Sequence, residues 1–352
     1  MSSQLEVNES KTFSFAERYN LRPNEDKASW DFYLQQRKQT WDSEEVLLSE
    51  DKNSFQKLPL RYQNLVEDLV AFFAPGDGIV SQQVLALAGE AKTFAQQAFL
   101  FEQLAIEVIH ARAYSDVITT FFDSSSQERI FSSVDNLDCV KDKAVFISKY
   151  MENLSLPVGL RYLAAAISEG VFFVSLFAVI FHLRSKKILH RFCFLNEQVA
   201  KDEKLHRDFN IMQARRGYLR GEFDLDDIKA ILKEAIKIEE NHIKYILREP
   251  VDSVELDEMS GLTLENMNRF IATLADQIVI GLGLPPMFTV VDKSNARDGL
   301  LVEFSPGWMS DISLTRKTNF YEQTSGSYTR ISQPDQIEDV SAAFEDPSSL
   351  GI

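Results

Sequence analysis

The chain has 352 residues, 45% of them apolar, a formal net charge of −16 and only two cysteines. That length can bury a substantial core, and so acidic a chain does not suit the phosphate backbone of nucleic acid. Cys139 and Cys193 lie 54 residues apart with no CxxC, which argues against a disulfide framework and fits a reducing, cytoplasmic compartment.

Gly (14) and Pro (10) are sparse, which favours long helices over turn-rich β structure. Residues 1–24 are polar, show no basic-then-apolar leader pattern, and are expected to be loosely held. Trp30–Trp41 sets apolar residues among Gln, Arg and Lys. Leu58–Phe73 repeats Leu60, Leu65, Leu69, Phe72 and Phe73 at helical spacing. Pro75-Gly76-Asp77-Gly78 then reads as a turn. Ala91–Phe122 predicts one long helix, ended by Asp123-Ser124-Ser125-Ser126. Helical patterns continue over Leu137–Glu152, Val158–Leu183, Phe192–Arg216, Asp224–Arg248 and Leu262–Gly281.

The most apolar stretch runs from Tyr162 to Leu183. Glu169 interrupts it, and its unbroken part, Gly170–Phe181, has 12 residues, against about 20 for a membrane span. It predicts a fully buried core helix and no membrane crossing. No G-x-G-x-x-G or G-x-x-x-x-G-K-[ST] loop is present. From Asn319 onward Ser, Gln, Asp, Glu and Pro dominate, which predicts a flexible acidic tail over 319–352. The body, 25–318, is expected to be one all-α domain.

Two E-x-x-H patterns lie in apolar helical surroundings: Glu107-Val108-Ile109-His110 and Glu203-Lys204-Leu205-His206. At this spacing carboxylate and imidazole share one helix face and offer a metal one oxygen and one nitrogen. Two such pairs facing each other, with a carboxylate from each of two more helices, make the di-metal site of ferritin-like bundles. Glu169, in an otherwise apolar helix, is one candidate, because a buried carboxylate wants a cation or a hydrogen-bond donor. Asp77 is the other. A third copy, Glu239-Glu240-Asn241-His242, lies among Lys233, Glu234, Lys237 and Lys244 and reads as a solvated face without metal. Tyr114 follows His110 by four residues, on the same stripe, and a phenol there is either core filling or a redox group beside the metals. Phe173 and Phe177 follow Glu169 at +4 and +8 as an apolar wall.

Together these segments resemble the small subunit of class I ribonucleotide reductase. The resemblance rests on AFFAPGDGIV (71–80), IEVIHARAY (106–114), SEGVFF (168–173) and KDEKLHRDF (201–209), and spans roughly Trp30 to Tyr328. It implies a ferritin-like helical bundle with additional helices. It implies Asp77, Glu107, His110, Glu169, Glu203 and His206 as ligands of two iron ions, or of manganese or a mixed pair. It implies that dioxygen activation forms a tyrosyl radical on Tyr114, with Phe173 and Phe177 as its dry pocket. Trp41, Asp202 and His110 match the relay toward the surface, and Tyr328 matches the tail tyrosine. The implied partners are a second copy of the chain and a large subunit that the tail docks on and that reduces ribonucleotides. Pro75-Gly76 departs from the small helical residues of the family, which predicts a helix kinked or ended before Asp77. Two other readings stay open. One is a different ferritin-like di-iron oxidase or oxygenase, which has no need of Tyr328. The other is an iron-storage or purely structural helical protein, which leaves the long tail unexplained.

Overall fold

The computed structural model describes residues 19–21, 25–151, 153–248 and 262–289, and shows no strand among them. The elements are α1 (Lys27–Gln39), a 3-10 turn (Ser43–Glu45), α2 (Ser49–Lys57), α3 (Leu60–Glu90), α4 (Phe94–Phe121) and α5 (Ser124–Phe131). Then come α6 (Ser133–Asn136), α7 (Asp138–Met151), α8 (Val158–Ile167), a π-helical turn (Ser168–Phe173) and α9 (Val174–Ser185). They are followed by α10 (His190–Leu219), α11 (Leu225–Ile246) and α12 (Leu264–Gly281). Polar residues start them: Asp26, Thr93, Asp123, Asp224 and Thr263 each accept from a backbone N–H of the first turn. Asp224 and Asp227 form a reciprocal capping box.

Four rods close the central bundle. α3 packs on α4, α4 on α10, α10 on α8, and α8 back on α3. Leu69, Val70, Phe73, Phe99, Leu163, Phe172, Phe177, Val199 and Phe209 fill it, each at 0% exposure. Full burial of side chains this large contributes about 1.5–3 kcal/mol each. α8 and α10 meet at Gly159 and Gly217, where a Cβ on either would lie within 2.8 Å of the other's Cα. The window of Val158–Ser185 that is long and apolar enough to cross a membrane is entirely buried here, as expected of a core helix, and that of Leu60–Glu90 is 56% buried. Both cysteines are buried and free.

The helix does not end at Pro75. α3 runs unbroken from Leu60 to Glu90 with Pro75 inside it. Proline offers no N–H to the carbonyl four residues back, here that of Ala71. Ser133, on α6, supplies the missing donor: its Oγ donates to the Ala71 carbonyl at 2.5 Å. Asp77 therefore sits in a helix interior, not in a turn, at 0% exposure. Tyr328 and the whole 319–352 tail, including its apolar residues Phe344, Leu350 and Ile352, lie outside the described residues, as does most of 1–24.

Candidate metal centre

The bundle brings all six expected ligands together. Asp77 comes from α3, Glu107 and His110 from α4, Glu169 from the π turn, and Glu203 and His206 from α10. They form two donor groups, each with ligand atoms within 4.8 Å of one another: Asp77, Glu107, His110 and Glu203, and then Glu107, Glu169, Glu203 and His206. Glu107 and Glu203 belong to both. The i,i+3 spacing sets this up, since each E-x-x-H pair turns both its side chains into the bundle axis.

Distances inside the cluster are short. His110 Nδ1 lies 3.3 Å from Glu107 and 3.1 Å from Glu203. His206 Nδ1 lies 3.2 Å from Glu107 and 3.4 Å from Glu203. Yet both oxygens of Asp77 and of Glu203, one oxygen each of Glu107 and Glu169, and Nδ1 of both histidines have no partner in hydrogen-bond geometry. All six residues are at most 1% exposed. Leaving so many buried polar atoms unpaired costs several kcal/mol unless a cation takes them. Four carboxylates and two neutral imidazoles carry four negative charges, which two divalent ions neutralise. Hard carboxylate oxygens with a borderline nitrogen suit iron and manganese.

The protonation pattern points the same way. Burial first, and then the charges of Glu107 and Glu203, push the Asp77 carboxyl well above the usual range. Burial and the neighbouring Glu203 do the same to Glu169. Glu203 is held below its ordinary range because Glu169, His110 and His206 outweigh burial. Burial opposes charge on His206, but Glu107 and Glu203 lift it to about 9. His110 is raised too, against burial, by Asp202, Glu107 and Glu203. Without metal, protons hold the carboxylates together.

Around this centre the expected relay is in contact. Trp41 Nε1 donates to Asp202 Oδ2 at 2.8 Å, and the same oxygen lies 3.2 Å from His110 Nε2. Trp41 is 4% exposed. Sequence reasoning missed two supports: Gln36 and Gln39 both donate to Asp202 Oδ1, at 2.8 and 2.9 Å. It also missed Gln103, whose Nε2 bridges Glu107 (3.2 Å) and Glu169 (3.0 Å). The signal existed, since Gln103 precedes Glu107 by four residues and so shares its face.

Tyr114 is completely buried, and burial with the charges of Asp77, Glu203 and Glu107 raises its phenol well above 10. Its hydroxyl donates to Asn196 Oδ1 at 2.9 Å, and Asn196 Nδ2 donates to the Phe192 carbonyl. The ring stacked on it is Phe73, at 5.0 Å, which the sequence reading did not single out. Phe177 and Phe173 pack on Phe73 at 5.0 and 5.8 Å. Gly76 leaves room for this wall, since a Cβ there would meet Phe173 at 3.0 Å.

The third E-x-x-H is not solvated. Glu239 and His242 are both at 0% exposure, because they continue the apolar stripe Ile228, Ile231, Leu232, Ala235, Ile243 and Ile246 of α11. They belong to neither donor group found among the described residues. Glu239 pairs instead with the buried Lys143, at 2.7 Å.

A family model described as "Ribonucleotide reductase, small chain" matches residues 18–296. The ribonucleoside-diphosphate reductase small chain of Plasmodium falciparum (isolate Dd2) is 30% identical over 327 residues, covering 92% of this chain and 87% of that protein. Two solved structures share the fold. The ribonucleotide reductase Rnr4 homodimer of Saccharomyces cerevisiae aligns with TM-score 0.66 and 24% identity, over 82% of this chain and 87% of its own. Dimanganese(II)-NrdF of Streptococcus sanguinis aligns with TM-score 0.64 and 19% identity, over 79% and 94%.

Proposed function

The chain belongs to the small-chain family of ribonucleotide reductase, and from that premise we propose that Asp77, Glu107, His110, Glu169, Glu203 and His206 hold two metal ions that serve a radical on Tyr114. The observation that carries this reading is the pair of overlapping donor groups sharing Glu107 and Glu203. Sharing two carboxylates is what a coupled pair of ions needs, and a single ion does not. Iron is the first assignment; the dimanganese neighbour supports manganese as an alternative occupant. Bound as a pair, the metals supply an oxidising equivalent drawn from dioxygen.

The protein's part can be assigned residue by residue. Gln103 holds one oxygen of Glu107 and one of Glu169, and so fixes where those carboxylates aim. Phe73, Phe173 and Phe177 exclude water from the Tyr114 ring. The raised phenol keeps its proton in the resting protein, with the hydroxyl donating to Asn196 Oδ1. Asp202, with an oxygen between the Trp41 indole and the His110 imidazole, supplies the hydrogen-bonded path between metal site and Trp41. The next step on that route is Tyr328, and the acidic tail 319–352 docks on a large subunit that holds the ribonucleotide. The yeast neighbour, named as a homodimer, supports a homodimeric assembly. The compartment is the cytoplasm, in keeping with two free thiols.

The test separates this from an oxidase. Deleting 340–352 is expected to leave metal content and the Tyr114 radical intact and to abolish ribonucleotide reduction with the cognate large subunit. Tyr328→Phe is expected to keep subunit association and lose turnover. Full activity in both variants overturns the relay and favours a di-metal oxidase.

A further inference from the structure

We propose that the buried ion pair Lys143–Glu239 is a positioning device for Glu169, acting by bracing the π turn that carries it. The inference rests on the metal-site reading above. Lys143 lies on α7 and Glu239 on α11; both are at 0% exposure, and neither belongs to the donor cluster. A buried pair of this kind is weak evidence of stability, since hydrocarbon of the same volume is often as stable. Its contacts show what it holds. Lys143 Nζ donates to the Phe172 carbonyl at 3.3 Å, inside the π turn. Glu239 accepts from the hydroxyl of Ser175, just beyond that turn in α9. The same ammonium sits 3.9 Å from the centroid of Phe72, and Phe72 packs against Phe173 at 5.1 Å. One ion pair thus grips Phe172, Phe173 and Ser175, on the C-terminal side of Glu169.

The π turn is the element that needs holding. It contains one residue more than an α-helix of equal length, so its backbone bonds are shifted and one carbonyl lacks its ordinary donor. Relaxing it to an α-helix shifts the chain on one side of the turn by one residue relative to the other. Glu169 then turns relative to α9 by about 100° and moves by about 1.5 Å along the axis. Either change takes its carboxylate out of the donor group it shares with Glu107, Glu203 and His206. The Lys143 bond to Phe172 opposes this relaxation, and Glu239 and Ser175 hold Lys143 in place.

The experiment titrates manganese(II) into full-length protein and solves the structure of the key variant. Lys143→Met with Glu239→Gln removes both charges together, so neither is left buried alone. It is expected to fold with a thermal midpoint near wild type, yet to bind its second ion at least about tenfold more weakly. Its crystal structure should show the Glu169 carboxylate displaced and residues 168–173 in α-helical register. Ser175→Ala keeps the ion pair and deletes one support; it should weaken the second ion by about threefold. Should the double variant not fold, Ser175→Ala decides the matter alone. Wild-type affinity for both ions in the folded variants, with Glu169 unmoved, overturns the proposal while leaving the metal site standing. Wild-type protein that binds no pair of ions overturns the metal-site reading itself.

Discussion

Ser133→Ala tests how the chain tolerates a proline two residues before a ligand. The variant deletes the one hydroxyl that donates to the Ala71 carbonyl, from a serine at 0% exposure. A buried acceptor left without its donor costs about 1–3 kcal/mol, a large share of the roughly 5–15 kcal/mol that holds a typical domain folded. Pro75→Ala restores an N–H at the position that can donate to the same carbonyl, which makes the serine redundant. The two changes should therefore couple: Ser133→Ala is expected to cost about 1 kcal/mol less in the Pro75→Ala background than in wild type. Urea unfolding of the metal-free protein, with all four members of the cycle, measures this. Equal costs in both backgrounds would refute the account of how α3 passes through Pro75. Metal content of Ser133→Ala should also fall, because Asp77 lies half a turn beyond the perturbed proline.

Glu203→Ala removes a carboxylate shared by both donor groups, and metal analysis should find one ion per chain or none while helical content persists; two ions would sink the ligand assignment. Gln103→Leu keeps the volume but frees one oxygen each of Glu107 and Glu169, and should weaken metal binding by about tenfold. The metal-free cluster holds protons, with His206 at about 9 and the Asp77 and Glu169 carboxyls raised by burial. Cations must displace those protons, so manganese(II) affinity should rise with pH up to about 9, by about tenfold per unit for each proton released; a flat profile contradicts this assignment of the buried protons.

Much of the site was legible in the sequence because helical spacing is local. Glu107, His110 and Tyr114 share a stripe whatever the rest of the chain does, and so do Glu203 and His206. Glu169 was legible by its cost, a carboxylate in an apolar helix. The readings that failed depended on partners distant in sequence. Asp77 looked like part of a turn because the donor that rescues its helix, Ser133, is 62 residues from the carbonyl it serves. Glu239 looked solvated because its neighbours are charged, and its own partner, Lys143, lies on another helix. The π turn leaves no period of its own in six residues. Phe73 hid within the apolar run of α3, where nothing local says which phenylalanine meets Tyr114.

The most direct test is the electron paramagnetic resonance spectrum of the metal-free protein given ferrous iron and air, with Tyr114→Phe beside it. A tyrosyl signal in the wild type, absent from a Tyr114→Phe protein that still binds two ions, is the predicted result. A signal that survives in Tyr114→Phe, or a wild type that takes up two ions and never shows one, would contradict the radical role of Tyr114.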